Sequence, residues 1–221
     1  MTTLSFGRMH AAAASLVLLA SAAPAASGQS HPQYQVEASL HQTGSRSMYS
    51  EIAHGPLSSV DLRQVESVSW SASATRLVPV QRRTSLRLGL SVVNKGWAEQ
   101  VTRTGVEGGT VRRHRDIVYL GAPLTLGYNL VTPRRGVMPF VEAGISPELL
   151  MWMDDGEFDL DLRGTGLSYL VSFGVKYGLK DGRAVVLAPE GRFAAVRYSR
   201  GEPGEMEYHP ITVGIKLGVQ F

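Results

Sequence analysis

The feature that most constrains this chain is an alternation of apolar and polar residues, which is clearest in the stretch 207–221. Its odd-numbered residues from Ile211 to Phe221 are all apolar, and the even-numbered residues between them are Thr, Gly, Lys and Gln. Successive side chains of a β-strand point to opposite faces, so the pattern predicts a strand with one apolar face and one face of small or polar groups. A comparable pattern recurs in seven earlier stretches: 33–42, 66–78, 85–93, 117–131, 139–151, 167–179 and 185–198. We therefore predict an all-β protein with eight strands.

The seventh of these stretches is the least regular. Pro189 interrupts its alternation, and since proline cannot donate to a strand ladder, a β-bulge is expected there.

The connections between the stretches alternate in length. Those at 79–84, 132–137 and 180–183 are short, and the last contains Asp-Gly, a strong signal for a β-hairpin. The longer connections are 44–64, 95–116, 152–166 and 199–207. Outer-membrane barrels combine short periplasmic turns with longer extracellular loops, and a tilted strand crosses a bilayer with about 9–11 residues. The chain is therefore predicted to form an eight-stranded antiparallel up-and-down transmembrane β-barrel with both termini in the periplasm.

In such a barrel the apolar face of each strand contacts lipid and the polar face lines the lumen. The predicted lumen face carries charges of both signs, and these must pair because an unpaired buried charge is very costly. We predict that a structural network is formed there by Glu37, Arg87, Glu142, Lys176, Glu190, Arg192 and Lys216. The apolar face should carry an aromatic girdle at the periplasmic rim, made of Tyr34, Tyr128, Tyr177 and Phe221. The alternative is a soluble lipocalin-like carrier, in which the apolar face would turn inwards.

The first 27 residues are excluded from the barrel. Arg8 precedes an apolar run at 11–23 that is shorter than the roughly 20 residues of a spanning helix, and small residues follow it. This arrangement predicts a cleaved secretory signal peptide over 1–27 and a barrel domain over 28–221. Cysteine is absent, which excludes disulfides and thiolate metal sites. The basic residues are scattered among short segments, which argues against a nucleic-acid partner.

The ordered set of strands resembles the PorT-like outer-membrane β-barrel family. The resemblance rests on 86–97, which ends in Lys-Gly-Trp, and on 118–128, 139–146 and 187–199, the last with a Glu-x-Arg pair. It implies a location in the bacterial outer membrane. A C-terminal aromatic residue is similar to the signal that the barrel-assembly machinery recognises, so Phe221 is the implied assembly signal. Some members of that family take part in protein secretion across the outer membrane.

Two of the long loops carry concentrated charge. In the loop at 151–164, five acidic residues could hold Ca²⁺, although their spacing is not that of an EF-hand and a solvated strand extension would alternate in the same way. They are Asp154, Asp155, Glu157, Asp159 and Asp161. The basic stretch 111–116, with Arg103, is placed to contact lipopolysaccharide phosphates or to pair with the acidic loop, and we favour the pairing.

The sequence contains no recognisable catalytic motif. His41, His54, His114 and His209 and many serines are available, but none lies in a G-x-S-x-G pattern. Open diffusion through the lumen is not expected, because side chains fill the interior of an eight-stranded barrel. We therefore expect a monomeric structural or interaction protein, surrounded by lipid and lipopolysaccharide, with no cofactor and no resident metal and with a part in secretion or envelope assembly. A rim-site enzyme acting on lipid or peptide is the alternative.

Overall fold

The computed structural model describes residues 33–45, 49–53, 59–65, 67–104, 109–132, 136–154, 163–179, 182–196, 198 and 209–221. The predicted signal peptide lies outside these residues. Among them no helix is long and apolar enough to cross a membrane. The described chain forms thirteen strands: β1 (Gln33–Ser45), β2 (Tyr49–Ala53), β3 (Ser59–Val65), β4 (Ser67–Pro79), β5 (Thr84–Asn94), β6 (Trp97–Thr104), β7 (Gly109–Arg115), β8 (Ile117–Gly121), β9 (Leu124–Asn129), β10 (Gly136–Met153), β11 (Thr165–Gly178), β12 (Ala184–Ala194) and β13 (Pro210–Gln220).

Nine of these strands close into the predicted eight-stranded antiparallel barrel, because β8 and β9 together make one barrel strand. The order around the wall is β11, β12, β13, β1, β4, β5, β8 with β9, and β10, and β10 pairs with β11 to close the ring. Consecutive barrel strands are neighbours throughout, which is the up-and-down topology. The fold class and the eight predicted strands are thus confirmed.

The fourth predicted strand, 117–131, is interrupted at Ala122 and Pro123. Proline has no N–H to donate to a ladder. The Ala122 N–H still donates to the Pro147 carbonyl oxygen at 2.9 Å, and the Pro123 carbonyl oxygen accepts from the Gly89 N–H at 3.3 Å. The register nevertheless continues across the break, since β5 pairs Ser91 with Gly121 before it and Leu88 with Leu124 after it. The proline therefore interrupts the regular ladder without shifting the strand.

The bulge predicted at Pro189 in β12 is contradicted by the structure. The pairing with β13 runs without a shift from Ala184↔Gln220 to Phe193↔Ile211. On the other side, the pairing with β11 lapses only between Ser172↔Glu190 and Val175↔Leu187 and resumes in the same register. The missing N–H of the proline is thus accommodated by a gap in one ladder.

The two faces of the barrel wall differ as predicted. The side chains of Leu40, Val213 and Ile215 are 55–68% exposed, whereas those of the adjacent Thr212 and Lys216 are 1% exposed. A wall of exposed apolar residues is unusual for a water-soluble monomer and is the surface that lipid would cover. The girdle aromatics Tyr34, Tyr128 and Tyr177 are 41–53% exposed at the end that carries the short turns.

Two regions that the sequence suggested were long loops, 44–64 and 95–116, instead contain a second antiparallel sheet of order β2-β3-β6-β7. The strands of this sheet continue barrel strands in the chain: β3 leads into β4 through one residue, β5 into β6 through Lys95 and Gly96, and β7 into β8 through Asp116. The sequence pattern does not reveal β6 and β7 because charged or polar residues occur at both parities of these stretches. One side of the barrel therefore continues beyond the ring as a four-stranded sheet at the end predicted to be extracellular, and we call it the extracellular sheet.

The Asp-Gly turn predicted at 180–183 is consistent with the observed backbone. Gly182 has a φ of +85°, a conformation that L-residues rarely adopt. The Leu179 N–H donates to the Arg183 carbonyl oxygen at 2.7 Å, which joins β11 to β12.

Candidate functional site: the barrel interior and its extracellular rim

Six of the seven residues predicted to face the lumen form one connected set of ion pairs, which we call the central network. All are at most 7% exposed in the side chain. They are Glu37 on β1, Arg87 on β5, Glu142 on β10, Glu190 and Arg192 on β12 and Lys216 on β13. Each lies on the inward parity of its strand, which is why residues distant in sequence meet. Three carboxylates face three cations, so the set is neutral.

Arg87 and Lys216 join the carboxylates of the central network. Arg87 Nη2 donates to Glu37 Oε2 at 2.7 Å, and Nη1 donates to Glu142. Lys216 Nζ lies 3.3 Å from Glu190 Oε2, 3.4 Å from Glu37 Oε1 and 3.8 Å from Glu142 Oε2. Arg192 Nε donates to Glu190 Oε1 at 2.9 Å. Each charge thus has a partner, which offsets much of the cost of its burial.

Small hydroxyl residues fill the space around the central network. Ser73 Oγ donates to Glu37 Oε2 at 3.2 Å, and Thr125 Oγ1 donates to Glu142 Oε1 at 2.8 Å. His41, one of the four histidines named in the sequence analysis, is also buried here, with Nε2 2.9 Å from Ser71 Oγ. The cavity left at this level has a volume of only about 20 Å³, roughly enough for one water molecule.

Lys176, the seventh predicted lumen residue, does not join the central network within the described residues. Its side chain lies inside the barrel and is 6% exposed, but no described carboxylate oxygen is within 4.0 Å of Nζ. Its contact is with the Phe140 ring, whose centroid is 4.9 Å from Nζ. A cation–π contact of this kind contributes about 0.5–2 kcal/mol, less than the burial of an ammonium group costs.

A second buried polar group, the upper cluster, lies at the extracellular end of the lumen. It consists of Lys95, Tyr119, Glu148, Ser168 and Tyr198, all at most 4% exposed. Lys95 Nζ pairs with Glu148 and donates to Ser168 Oγ at 2.7 Å and to Tyr198 OH at 3.1 Å. Tyr198 OH donates to Glu148 as well.

The upper cluster is not among the sites predicted from the sequence. Glu148 lies six residues after Glu142 in the same stretch, so strand parity puts both on the inner face, and this parity is the signal that the sequence offers. Lys95 lies just after β5 and Tyr198 lies beyond β12, so strand parity does not say where either side chain points.

At the outer rim, three side chains form a chain in which each contacts the next. Ser67 Oγ is 3.0 Å from His114 Nδ1, and His114 Nε2 is 3.3 Å from Asp116 Oδ1. Asn94 Nδ2 also donates to Asp116 Oδ1 at 2.7 Å. The hydrogen bond from His114 holds the pKa of Asp116 below its ordinary value, and the bond from Asn94 adds to this effect. We call Ser67, His114 and Asp116 the rim triad. Enzymes that catalyse acyl transfer place a nucleophile, a general base and an orienting carboxylate in contact in the same order.

The sequence named His114 as a candidate base but not its partners. Ser67 and His114 are 47 residues apart and meet only because β4 and β7 belong to neighbouring parts of the wall and the extracellular sheet. Of the other histidine candidates, His54 lies outside the described residues and His209 is half-buried before β13.

The predicted calcium loop is described only at its first residue. Asp154 is exposed, and its N–H donates to the Asp116 carbonyl oxygen at 3.0 Å. Asp155, Glu157, Asp159 and Asp161 lie outside the described residues. In the described part of the chain, no group of three or more His, Asp or Glu residues could hold a metal ion. Of the basic stretch, Arg115 is buried, at 3% exposure.

Phe221 lies at the periplasmic rim beside the first residues of β1. Its N–H donates to the Tyr34 carbonyl oxygen at 2.9 Å, and its own carbonyl oxygen accepts from the Tyr34 N–H at 2.8 Å. The two rings stack with centroids 6.3 Å apart. The terminal aromatic thus helps to close the barrel, and its role as an assembly signal stays a prediction.

Comparison with known proteins agrees with this architecture. The family described as "Outer membrane protein beta-barrel domain" matches residues 27–194, which is more than half of the chain. No protein with a curated description matches the sequence. The crystal structure of the outer membrane protein OprG from Pseudomonas aeruginosa is similar, with a TM-score of 0.51 and 13% identity over 88% of this chain and 98% of that one.

Neisserial surface protein A is also similar in structure, with a TM-score of 0.56 and 12% identity over 88% of this chain and 98% of that one. At such low identity these two likenesses concern the fold alone. The match to the family places the protein in the bacterial outer membrane. The chain belongs to the outer membrane protein β-barrel domain family.

Proposed function

We propose that this protein is a closed, non-conducting outer-membrane scaffold that carries an extracellular interaction surface. The observation that supports it is the central network, in which six paired charged side chains leave a cavity of only about 20 Å³ across the middle of the lumen. The upper cluster adds a second layer of buried side chains above it. A rigid barrel of this kind can hold the extracellular sheet of β2, β3, β6 and β7 in a fixed position.

Planar-bilayer recording tests the closed lumen. The purified protein should insert without conductance steps, while an open porin in the same bilayer serves as the positive control. A variant that lacks the bulky side chains at both levels, R87G/E142G/Y198A, should conduct if it still folds. Regular conductance steps from the unmodified protein would overturn the proposal.

The PorT-like character of the chain, and with it a role in secretion or envelope assembly, is part of the same proposal. It is supported by the Lys-Gly-Trp segment, since Lys95 and Gly96 lie at the junction of barrel and extracellular sheet. We expect a monomer among lipid and lipopolysaccharide, assembled by the barrel-assembly machinery through Phe221. Deleting Phe221 should lower the amount of folded protein in the outer membrane, and an unchanged amount would count against this role.

The rim triad supports a second candidate function, hydrolysis of an acyl ester at the outer leaflet. With the proton of His114 on Nε2 and held by Asp116, Nδ1 can accept the proton of Ser67 as Oγ attacks the ester carbonyl carbon. The protonated imidazole then gives that proton to the leaving alkoxide, which departs as an alcohol. Water, activated by the same imidazole, cleaves the acyl–Ser67 bond and releases the carboxylic acid.

Covalent labelling distinguishes this second function from a structural role. A fluorophosphonate probe should label the folded protein at Ser67, and S67A should abolish the labelling. S85A, at the opposite end of the barrel, is the matched control and should label like the unmodified protein. If the protein is not labelled, or if S67A labels equally, the esterase proposal fails and the scaffold proposal is unaffected.

A further inference from the structure

A second and larger cavity lies at the periplasmic end of the lumen. Its volume is about 450 Å³, within the range of small-molecule sites. It lies between the turns at 79–84 and 180–183, next to Gln33 and Gln220 at the two ends of the barrel chain. None of the six central-network residues lines it. It is therefore a separate compartment below the filled part of the barrel, open towards the periplasm.

The charge of this cavity has one sign among the described residues that line it. Two of the turns contribute Arg82, Arg83 and Arg183, and β11 contributes Lys176, whose side chain lies inside the barrel. No described aspartate or glutamate belongs to the lining. Leu77 and Met138 supply a buried apolar wall. The cavity thus combines a positive field with an apolar side, as a site for a small organic anion would.

Lys176 provides this cavity with a buried, positively charged side chain that can bind an anion. Its side chain is 94% buried, it reaches the cavity, and within the described structure its ammonium group has neither an ion pair nor a hydrogen bond. The aromatic contact with Phe140 holds the chain in place without neutralising the charge. A buried cation without a counter-charge is costly, so an anion that enters the cavity would gain a strong interaction there.

We propose that the periplasmic cavity binds the phosphate or carboxylate group of a small soluble molecule. Lys176 supplies the charge at the inner end, and Arg82 at the mouth can hold an oxyanion through two parallel N–H···O bonds. Arg83 adds positive charge at the mouth, while its own Nη atoms donate to the Leu130 carbonyl oxygen at 3.4 Å and to Thr132 Oγ1 at 3.2 Å. This site needs no open lumen, because it lies entirely below the central network. It is thus independent of the scaffold and esterase proposals.

The test is a titration of the folded, isotope-labelled protein in lipid nanodiscs, followed by NMR. Glycerol 3-phosphate is the phosphate probe, succinate is the carboxylate probe, and glycerol is the uncharged control. At least one anion should shift the signals of Lys176 and the 79–84 turn saturably, and glycerol should not. K176M should weaken that binding by about tenfold or more. R76Q is the matched control, because Arg76 is exposed at the same end but does not line the cavity.

Saturable binding that K176M weakens and R76Q does not weaken supports the site. An absence of saturable shifts with both anions means that solvent alone occupies the cavity, and it overturns the proposal. Equal binding to K176M and the unmodified protein overturns it as well. If K176M does not fold, R82Q/R83Q decides the matter, because these exposed turn residues are not part of the wall: unchanged affinity in that variant would refute the site.

Discussion

At the scale of single residues, Glu190 of the central network is the only carboxylate among the described residues that lies within 4.0 Å of Arg192. Replacing Glu190 with Ala leaves Arg192 buried without a counter-charge, whereas Lys216 keeps Glu37 at 3.4 Å. We predict that E190A lowers the free energy of unfolding by about 3–5 kcal/mol, the usual effect of breaking a buried pair by removing one partner. Urea unfolding in lipid vesicles, followed by tryptophan fluorescence, measures it.

The matched control for this prediction is E190Q. Glutamine has nearly the same volume and an oxygen that can still accept from Arg192 Nε, so E190Q should lose less stability than E190A. A loss below about 0.5 kcal/mol for E190A, the range of neutral surface substitutions, would show that the network does not stabilise the barrel.

The contacts of the rim triad should change the pH at which Asp116 titrates. The hydrogen bonds from His114 and Asn94 lower the pKa of Asp116 in the folded protein. The carboxylate form is therefore favoured by folding, so its contribution to stability is present above the pKa of the unfolded chain and is lost as the pH falls through the lower, folded-state pKa. Carbon-13 NMR of the Asp116 carboxyl group should show a midpoint below 3.8, the ordinary value.

The variant N94A separates the two hydrogen bonds. It removes one donor and should move the Asp116 midpoint back towards 3.8 without abolishing the contact with His114. A midpoint at or above 3.8 in the unmodified protein would mean that the rim triad is not assembled in solution.

At the scale of elements, the extracellular sheet depends on a close approach where β5 passes into β6. A Cβ atom at Gly96 would collide with the Arg115 carbonyl oxygen, which belongs to the neighbouring strand. G96A should therefore separate β6 from β7 and make the amide hydrogens of both strands exchange faster, by about tenfold or more. The barrel strands should keep their protection.

The control for G96A lies in the same sheet. A Cβ atom at Gly109, at the start of β7, would have no heavy atom within 4 Å, and the residue has no positive φ, so G109A should exchange like the unmodified protein. Equal exchange rates in G96A and G109A would contradict the proposed junction.

The barrel strands could be predicted from the sequence because each of them separates two environments. Residues such as Val213 face lipid and residues such as Lys216 face the interior, so apolar and polar residues alternate with a period of two. The stretches of β6 and β7 show no such division, since polar residues occur at both parities, as Glu99 and Gln100 do in β6. Their Thr, Arg and Gln residues carry no alternation of hydrophobicity, and the sequence therefore favours a loop there.

The residues that face the interior could be predicted as well as the strands could, but the pairs that they form could not. Parity placed Glu37, Arg87 and Glu142 inside, but it could not say which charge meets which, because that depends on strand tilt and register. Lys176 shows the limit: it was placed inside correctly, yet it lies below the carboxylates rather than among them. The rim triad was beyond prediction, since it joins side chains from the barrel and from the sheet that the sequence did not reveal.

At the scale of the whole molecule, the protein is arranged in levels along the barrel axis. The extracellular sheet and rim triad are followed by the upper cluster, the central network and the periplasmic cavity. Among the described lumen residues, charge is paired where the lumen is narrow and is left uncompensated at Lys176, where space for a ligand or water remains. This division assigns rigidity to the middle of the barrel and any binding to its two ends.

The arrangement as a whole requires that lipid surrounds the apolar face. Because the chain has no cysteine, single cysteines can be introduced and spin-labelled without background. Val213 and Thr212 are neighbours on β13 with exposures of 55% and 1%, so they test the two faces at the same membrane depth. A label at Val213 should be quenched by lipid-soluble oxygen at least about tenfold more strongly than a label at Thr212, since only the first contacts the bilayer. The reverse order would place the apolar face inside and the charged residues of the central network outside, as in a soluble carrier surrounded by water, because a bilayer does not tolerate such charges on a lipid-facing surface.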